Sequence, residues 1–260
     1  MIRIALGIEY DGSRYCGWQR QQHSPSVQET LEKVLSGIAD HPVTVTCAGR
    51  TDTGVHAVAQ VVHFDLQSTR PERAWLLGGN TRLPDDVSIV WARPVADDFH
   101  ARFSAVSRSY RYIILNRSTP RAVLAKRVTW IYHPLDSERM AMAARLLLGQ
   151  HDFSSFRAAG CQAKSPVKTV ESIAVSRSGD FIYLDIRANA FLHHMVRNIA
   201  GVLIEIGKGE RPVEWVAELL TLRDRKSGGV TAPPHGLYFT GVGYPDRFGI
   251  DAVGPTVVYG

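Results

Sequence analysis

One succession of hydrophobic periods runs along this chain twice. In residues 2–9 apolar side chains alternate as Ile2, Ile4, Leu6 and Ile8, the two-residue period of a strand. Residues 26–38 switch to helical spacing, with Val27, Leu31, Val34, Leu35 and Ile38 in register and "SPS" as the start signal. "VTVTCA" (43–48) and "VAQVVHFDL" (58–66) read as strands, 70–79 as a short helix and "VSIVWA" (87–92) as a strand. The same order returns as a strand at 108–115, a helix at 137–148 and a strand pair at 170–177 and 181–188 joined at "SGD". A helix at 192–206 follows, with Leu192, Met195, Val196, Ile199, Leu203 and Ile206 on one face, and a strand at 237–242 closes the series. Strand–helix–strand–strand–helix–strand is the split βαβ arrangement. The predicted fold is therefore α/β (α+β), two related split βαβ halves whose mixed or antiparallel sheets join around a central cleft. The halves are residues 1–103 and 104–260, and the boundary falls in "DDFHARFSAVS" (97–107). Segments 150–168 and 207–230 read as loops and a short helix.

At 260 residues, each half is long enough to bury a core of its own. No apolar run approaches a membrane span. "MIRIALGIEY" is too short in apolar run, and too soon acidic at Glu9, for a signal peptide. A cytoplasmic location is the expectation, with no membrane partner. Cys16, Cys47 and Cys161 form no C-x-x-C pair, which argues against a disulfide framework or a thiolate zinc site. A formal net charge of +5 hints at a polyanionic partner.

Between the second and third strands lies "CAGRTDTGVHAVAQVVHF" (47–64), which places Arg50, Asp52 and His56 at a polar turn between apolar runs. Functional groups on loops held by rigid strands are a common arrangement for sites. Gly49 and Gly54 give the backbone freedom around Asp52. From Arg-x-Asp alone, a turn-capping aspartate beside a surface arginine is the favoured reading.

The whole passage "GRTDTGVHA" closely resembles the signature of the tRNA pseudouridine synthase A family. "YDGSRYCGWQRQ" (10–21), "SVQETLE" (26–32), "DFHARFSA" (98–105), "SYRYII" (109–114), "HDFSSF" (151–156), "NAFLHHMVRNIAG" (189–201) and "APPHGLYF" (232–239) occur in that family's order. Ser13 stands where Thr is usual. Lys168, in "SPVKTV", stands where the family usually has Arg, which removes a bidentate contact there.

The resemblance implies that the chain isomerises uridine to pseudouridine in tRNA, at uridines 38, 39 and 40 of the anticodon stem-loop, as a homodimer and without a cofactor. The bond from N1 to ribose C1′ breaks, the uracil turns, and C5 bonds to C1′. No Walker loop, no G-x-G-x-x-G after the first strand and no metal-ligand cluster is present in the sequence. Asp52 matches the essential aspartate. It attacks C1′ as in retaining glycosidases, or takes the C2′ proton, and the residues do not choose between these. Arg197, beside the apolar stripe of the helix at 192–206, matches the arginine that pairs with that aspartate; without the resemblance it reads as a snorkelling side chain. Tyr110 matches the active-site tyrosine, whose ring stacks on uracil and whose hydroxyl assists proton removal from C5. Leu237 matches the apolar wall. Arg50 matches the residue that helps extrude the target nucleotide. In "YDGSRYCGWQRQ", basic and aromatic residues alternate in the manner of RNA-contacting segments, so Tyr10, Arg14, Trp18 and Gln19 are candidate substrate contacts. Trp18 is also a good core residue. Because Asp52 comes from one half and Tyr110 and Arg197 from the other, the expected active site lies in the cleft between them.

No metal site is expected. His193 and His194, as neighbours on a helix, would diverge by about 100°. The residues of "HDFSSF" read as structural rather than as a Ser–His–Asp set. His56 reads either as an RNA contact or as a buttress of its loop, the second being preferred. Two rival functions remain: a non-catalytic RNA-binding protein, which leaves Asp52 among arginines unexplained, and a nucleoside hydrolase, which needs Asp65 or Asp11 as a second carboxylate.

Overall fold

The computed structural model describes residues 2–68, 70–250 and 252–259. The fold is mixed α+β, and the chain divides into two compact units, Met1–Arg108 with Tyr238–Thr256, and Ser109–Leu237 with Val257–Gly260.

The first unit begins with β1 (Ile2–Tyr10), α1 (Val27–Ala39), β2 (Thr46–Cys47), β3 (His56–Leu66), α2 (Glu72–Asn80) and β4 (Val87–Val95). Strand β1 is central, antiparallel to β3 with Leu6 opposite Val62, and antiparallel to β4 with Leu6 opposite Ala92. Both its faces are covered, so Ala5 is as buried as Leu6. At Gly7 the Trp91 indole lies against the backbone, where a Cβ would stand 2.1 Å from Nε1. Helix α1 starts where Ser26 Oγ accepts from the Glu29 N–H (3.3 Å) and stops at Asp40, whose φ is 61°. Its buried Leu31 and Leu35, with Phe64 and Trp75 in edge contact at 5.2 Å, fill the core.

The strand expected at 43–48 shrinks to Thr46–Cys47. The reason lies in α1. The Val45 N–H donates to Glu32 Oε1 (3.0 Å) and the Val43 N–H to Ser36 Oγ (2.9 Å). Helix side chains thus satisfy backbone groups that a ladder would otherwise use.

The second unit contains β5 (Ser107–Asn116), β6 (Thr129–Ile131), α3 (Ser137–Arg145), β7 (Gly149–Asp152), β8 (Val167–Ser178), β9 (Phe181–Ala188), α4 (Met195–Gly207) and α5 (Trp215–Leu222). Its strands run in the order β5-β9-β8-β7, with β6 parallel to the end of β5, Ile114 opposite Thr129. Helix α3 packs on β8, α4 and α5. The short strands β6 and β7 carry no periodic signal and were not expected. Helix α4 starts at Met195 rather than 192, because His194 takes the left-handed conformation (φ 61°) that ends regular winding.

Strands β10 (Leu237–Gly243) and β11 (Ala252–Val253) close the chain. Sequence order places 237–242 with the second half. In the structure, Tyr238–Thr256 belong to the first unit, since β10 pairs in parallel with β3, Tyr238 opposite His56 and Phe239 opposite Ala57. The first unit's strand order is thus β4-β1-β3-β10. Among the described residues, no helix is long and apolar enough to cross a membrane.

Candidate active site

In the first unit, the polar loop between β2 and β3 is tied down from three directions. From β3, Gln60 reaches back: its Nε2 donates to the Gly49 carbonyl (2.6 Å), and the Gly49 N–H donates to its Oε1 (3.4 Å). The Ala48 N–H donates to the Val61 carbonyl (2.8 Å). From the N-terminal motif, the Trp18 N–H donates to the Thr51 carbonyl (3.0 Å), and the Gly54 N–H donates to the Tyr15 carbonyl (3.3 Å). Tyr10 and Thr51 share a hydroxyl–hydroxyl bond of 2.7 Å. This packing is backbone against backbone and requires glycine. At Gly12 a Cβ would sit 1.9 Å from the Val55 carbonyl oxygen. At Gly17 (φ 92°) it would sit 2.6 Å from that of Thr51.

The third direction is His56, which is 2% exposed. Its ring stacks on Tyr238 with centroids 4.6 Å apart. Its Nδ1 stands 3.1 Å from both the Gly12 N–H and Asp11 Oδ1. With a proton on Nδ1 the ring donates to Asp11, and that bond holds the Asp11 carboxyl well below the usual carboxylate range. Without one, the same atom accepts from Gly12. In both states the imidazole joins the N-terminal turn to the start of β3.

On this support, Asp52 is half-buried and Arg50 is exposed. The Asp52 carbonyl accepts from the Val55 N–H (3.1 Å), which closes the turn behind the side chain. A carboxylate so held can present its oxygens with little conformational freedom left to lose.

The N-terminal motif divides by burial. Tyr10, Tyr15 and Trp18 are packed inside, Trp18 at 1% exposure, and build the loop's support. Arg14 and Arg20 are exposed; Arg14 stands 3.8 Å from Asp86, and Arg20 stands 3.6 Å from Glu32. Gln19 donates to Gln28 Oε1 (2.9 Å). The carboxylates that a hydrolase would need are both engaged. Arg3 grips Asp65 with two bonds of 2.8 and 2.9 Å, and Asp11 accepts from the Ser13 N–H (3.0 Å) besides facing His56.

In the second unit, Tyr110 is half-buried on β5 and meets the edge of Phe191 at 4.9 Å. Leu237 is buried. Arg197, on the first turn of α4, donates from Nε to the Ala232 carbonyl (2.9 Å), while the Ala232 N–H donates to the Arg197 carbonyl (3.1 Å). The space that Gly201 leaves is filled by this same strap, since a Cβ there would stand 1.8 Å from the Val230 carbonyl oxygen. Next to Arg197, the buried Asn198 donates to the Phe156 carbonyl (2.7 Å). Its Oδ1 accepts from Thr231 Oγ1 (2.7 Å) and from Arg225 (3.1 Å).

Gln60, Thr51 and Asn198 were missed by the sequence reading. Gln60 carried a signal, a lone amide inside the apolar run "VAQVVHF", and in the structure it is fully buried. His193 and His194 do not lie on the helix as expected; they precede it, with rings 4.0 Å apart. In "HDFSSF", Ser154 Oγ donates to Asp152 (2.6 Å), and His151 Nε2 faces the Leu148 carbonyl (2.8 Å), which is a local turn. Lys168 donates to the carbonyls of Ser165 and Val167.

The chain matches the family model described as tRNA pseudouridine synthase over residues 7–104 and 143–245, stretches that hold Arg50, Asp52, Arg197 and Leu237; Tyr110 falls between them. It is 60% identical over 247 residues to the tRNA pseudouridine synthase A of Pseudomonas aeruginosa, covering 95% of this chain and 87% of that one. It is 56% identical over 253 residues to the protein of that name from Hydrogenovibrio crunogenus, covering 97% of each chain. Against the one from Nitrosococcus oceani it is 59% identical over 247 residues, covering 95% of each.

Proposed function

The chain belongs to the tRNA pseudouridine synthase family, and on that premise we propose that it isomerises uridines 38, 39 and 40 in the anticodon stem-loop of tRNA. It does so as a homodimer in the cytoplasm. The observation that carries the reading is the Asp52 loop, a half-buried carboxylate with an exposed arginine two residues before it, held by Gln60, Tyr10 and His56.

Asp52 acts on the sugar, either by bonding to C1′ as the N1–C1′ bond breaks or by taking the C2′ proton. The uracil turns and C5 bonds to C1′. The C5 proton then leaves to a base and N1 gains one, so the product has the mass of the substrate. Tyr110 stacks on the uracil, and its hydroxyl assists the C5 step. Arg197 supports the charge of Asp52, and Leu237 supplies an apolar wall. Arg50 takes the place of the extruded nucleotide, since a guanidinium can stack on a base and hold a phosphate together.

Incubation with unmodified tRNA tritiated at uracil C5 tests this. Tritium release from an intact strand is the expected result, and it should fall when uridines 38, 39 and 40 are replaced by cytidine. Release of free uracil would instead identify a hydrolase, and no release from any tRNA would refute the reading.

A further inference from the structure

In the first unit, the turn 99–104 presents an exposed aromatic side chain that packs into no core. Phe103 is 76% exposed. Its ring stacks on His100 with centroids 4.3 Å apart and an interplanar angle of 26°, and the Arg102 guanidinium lies 5.6 Å from its centroid. The turn is held from below. His100 Nδ1 accepts from the N–H groups of Arg102 (3.2 Å) and Phe103 (3.1 Å), and Ser104 Oγ accepts from the His100 N–H (3.0 Å). His63 Nδ1 accepts from the Ala101 N–H (3.1 Å), and its ring lies 4.8 Å from that of His100.

This turn adjoins the Asp52 loop. One nitrogen of Arg108, Nη2, donates both to the Arg102 carbonyl (2.7 Å) and to the Ala48 carbonyl (3.2 Å), two residues before Arg50. Burial pushes the Cys47 thiol up, and Arg50 and Arg102 offset part of that. The first unit therefore sets an exposed ring, with the exposed Arg102 guanidinium beside it, on a turn tied through Arg108 to the loop that bears Asp52.

We propose that Phe103 and Arg102 form a docking point for one unpaired nucleotide of the tRNA close to the target uridine, the base stacking on the Phe103 ring and its phosphate meeting Arg102. The inference rests on the reading of the chain as a tRNA isomerase. Base–aromatic stacking tolerates any base, and an arginine beside the ring adds the backbone contact. A ring already fixed by His100 loses little freedom on binding. The charge favours RNA over a second copy of the chain. A two-fold contact centred here would set Arg50 and Arg102 against their own copies, whereas phosphates neutralise them.

The test is steady-state tritium release from tRNA by wild type, Phe103→Ala, Phe103→Leu, Phe103→Trp and Arg102→Gln, with thermal unfolding and sedimentation velocity on each. Phe103→Ala and Phe103→Leu should raise KM about 5- to 150-fold, the equivalent of the ~1–3 kcal/mol per stacked base seen on alanine substitution. Unfolding and kcat should stay near wild type, and Phe103→Trp should restore KM. Arg102→Gln should lower the salt slope of binding by about 1. A wild-type KM in Phe103→Ala overturns the proposal, as does a leucine variant that works as well as tryptophan. A changed sedimentation coefficient in Phe103→Ala overturns it in favour of a contact between copies. Wild-type protein that neither binds tRNA nor releases tritium overturns the underlying reading, and the proposal with it.

Discussion

Gln60 and Gly49 bond reciprocally: the buried amide of Gln60 donates to the Gly49 carbonyl at 2.6 Å and accepts the Gly49 N–H at 3.4 Å. The pair fixes the first residue of the loop to β3, opposite Ile8 of β1. Gln60→Leu would keep the volume and strand both backbone groups of Gly49. Each stranded group costs about 1–3 kcal/mol. A loop displaced by about 1 Å costs on the order of 100-fold in rate. The expected outcome is a lower urea midpoint together with a kcat reduced about 10- to 100-fold at a near-constant KM. A variant of wild-type kcat would show that the loop needs no such anchor.

Asp52→Asn removes the reactive carboxylate while keeping the shape of the turn, which is closed by backbone groups. Tritium release should vanish. tRNA affinity should hold or rise slightly, since a charge that repels phosphate is gone. Filter binding alongside the release assay checks both halves, and turnover by a verified variant would remove Asp52 from the chemistry.

Tyr110→Phe keeps the face that meets Phe191 and loses only the hydroxyl. Binding should survive while the rate falls, by about 100-fold or more if the hydroxyl carries the C5 proton transfer. Single-turnover kinetics isolate that step. A wild-type rate would leave the ring with stacking alone.

Arg197 has a structural bond to Ala232 and a proposed role in the reaction. Arg197→Met should be inactive and less stable, yet bind tRNA with the salt slope of wild type. A phosphate contact would instead lower that slope by about 1. Titration of affinity against salt decides, and a reduced slope would return Arg197 to the RNA surface.

Burial pushes the His63 imidazole down to about 4, with His100 and Arg3 pushing the same way. The unfolded chain takes up this proton near pH 6.5 and the folded chain does not until lower pH. The contribution to stability is thus complete above about pH 6.5 and is lost as pH falls toward the folded value, up to roughly 3 kcal/mol. Urea unfolding at pH 7 and pH 4.5 should show this loss in wild type and a smaller one in His63→Gln. Equal losses in both proteins would place the effect elsewhere.

Hydrophobic period alone determined most of the elements. The alternation in β1, the helical stripe of α1 and the strand pair β8–β9 joined at Gly179 are local properties, set by which side chains can share a face. The turn bearing Arg50 and Asp52 was legible too, because polar residues and glycines interrupt apolar runs there. Tertiary structure decided what local pattern does not encode. Residues 43–45 carry a strand's alternation, yet their backbone bonds go to Glu32 and Ser36, residues earlier in the chain. Tyr238 lies in the second half by sequence order but pairs with His56 of the first unit. Trp18, read both as a candidate RNA contact and as a core residue, is enclosed in the support of the Asp52 loop, while Phe103, in a motif to which no site role was given, stands exposed. In each case the deciding partner is remote in sequence. Backbone hydrogen bonding and burial are satisfied in three dimensions, by whichever group the fold brings near, and a one-dimensional period carries no record of that choice.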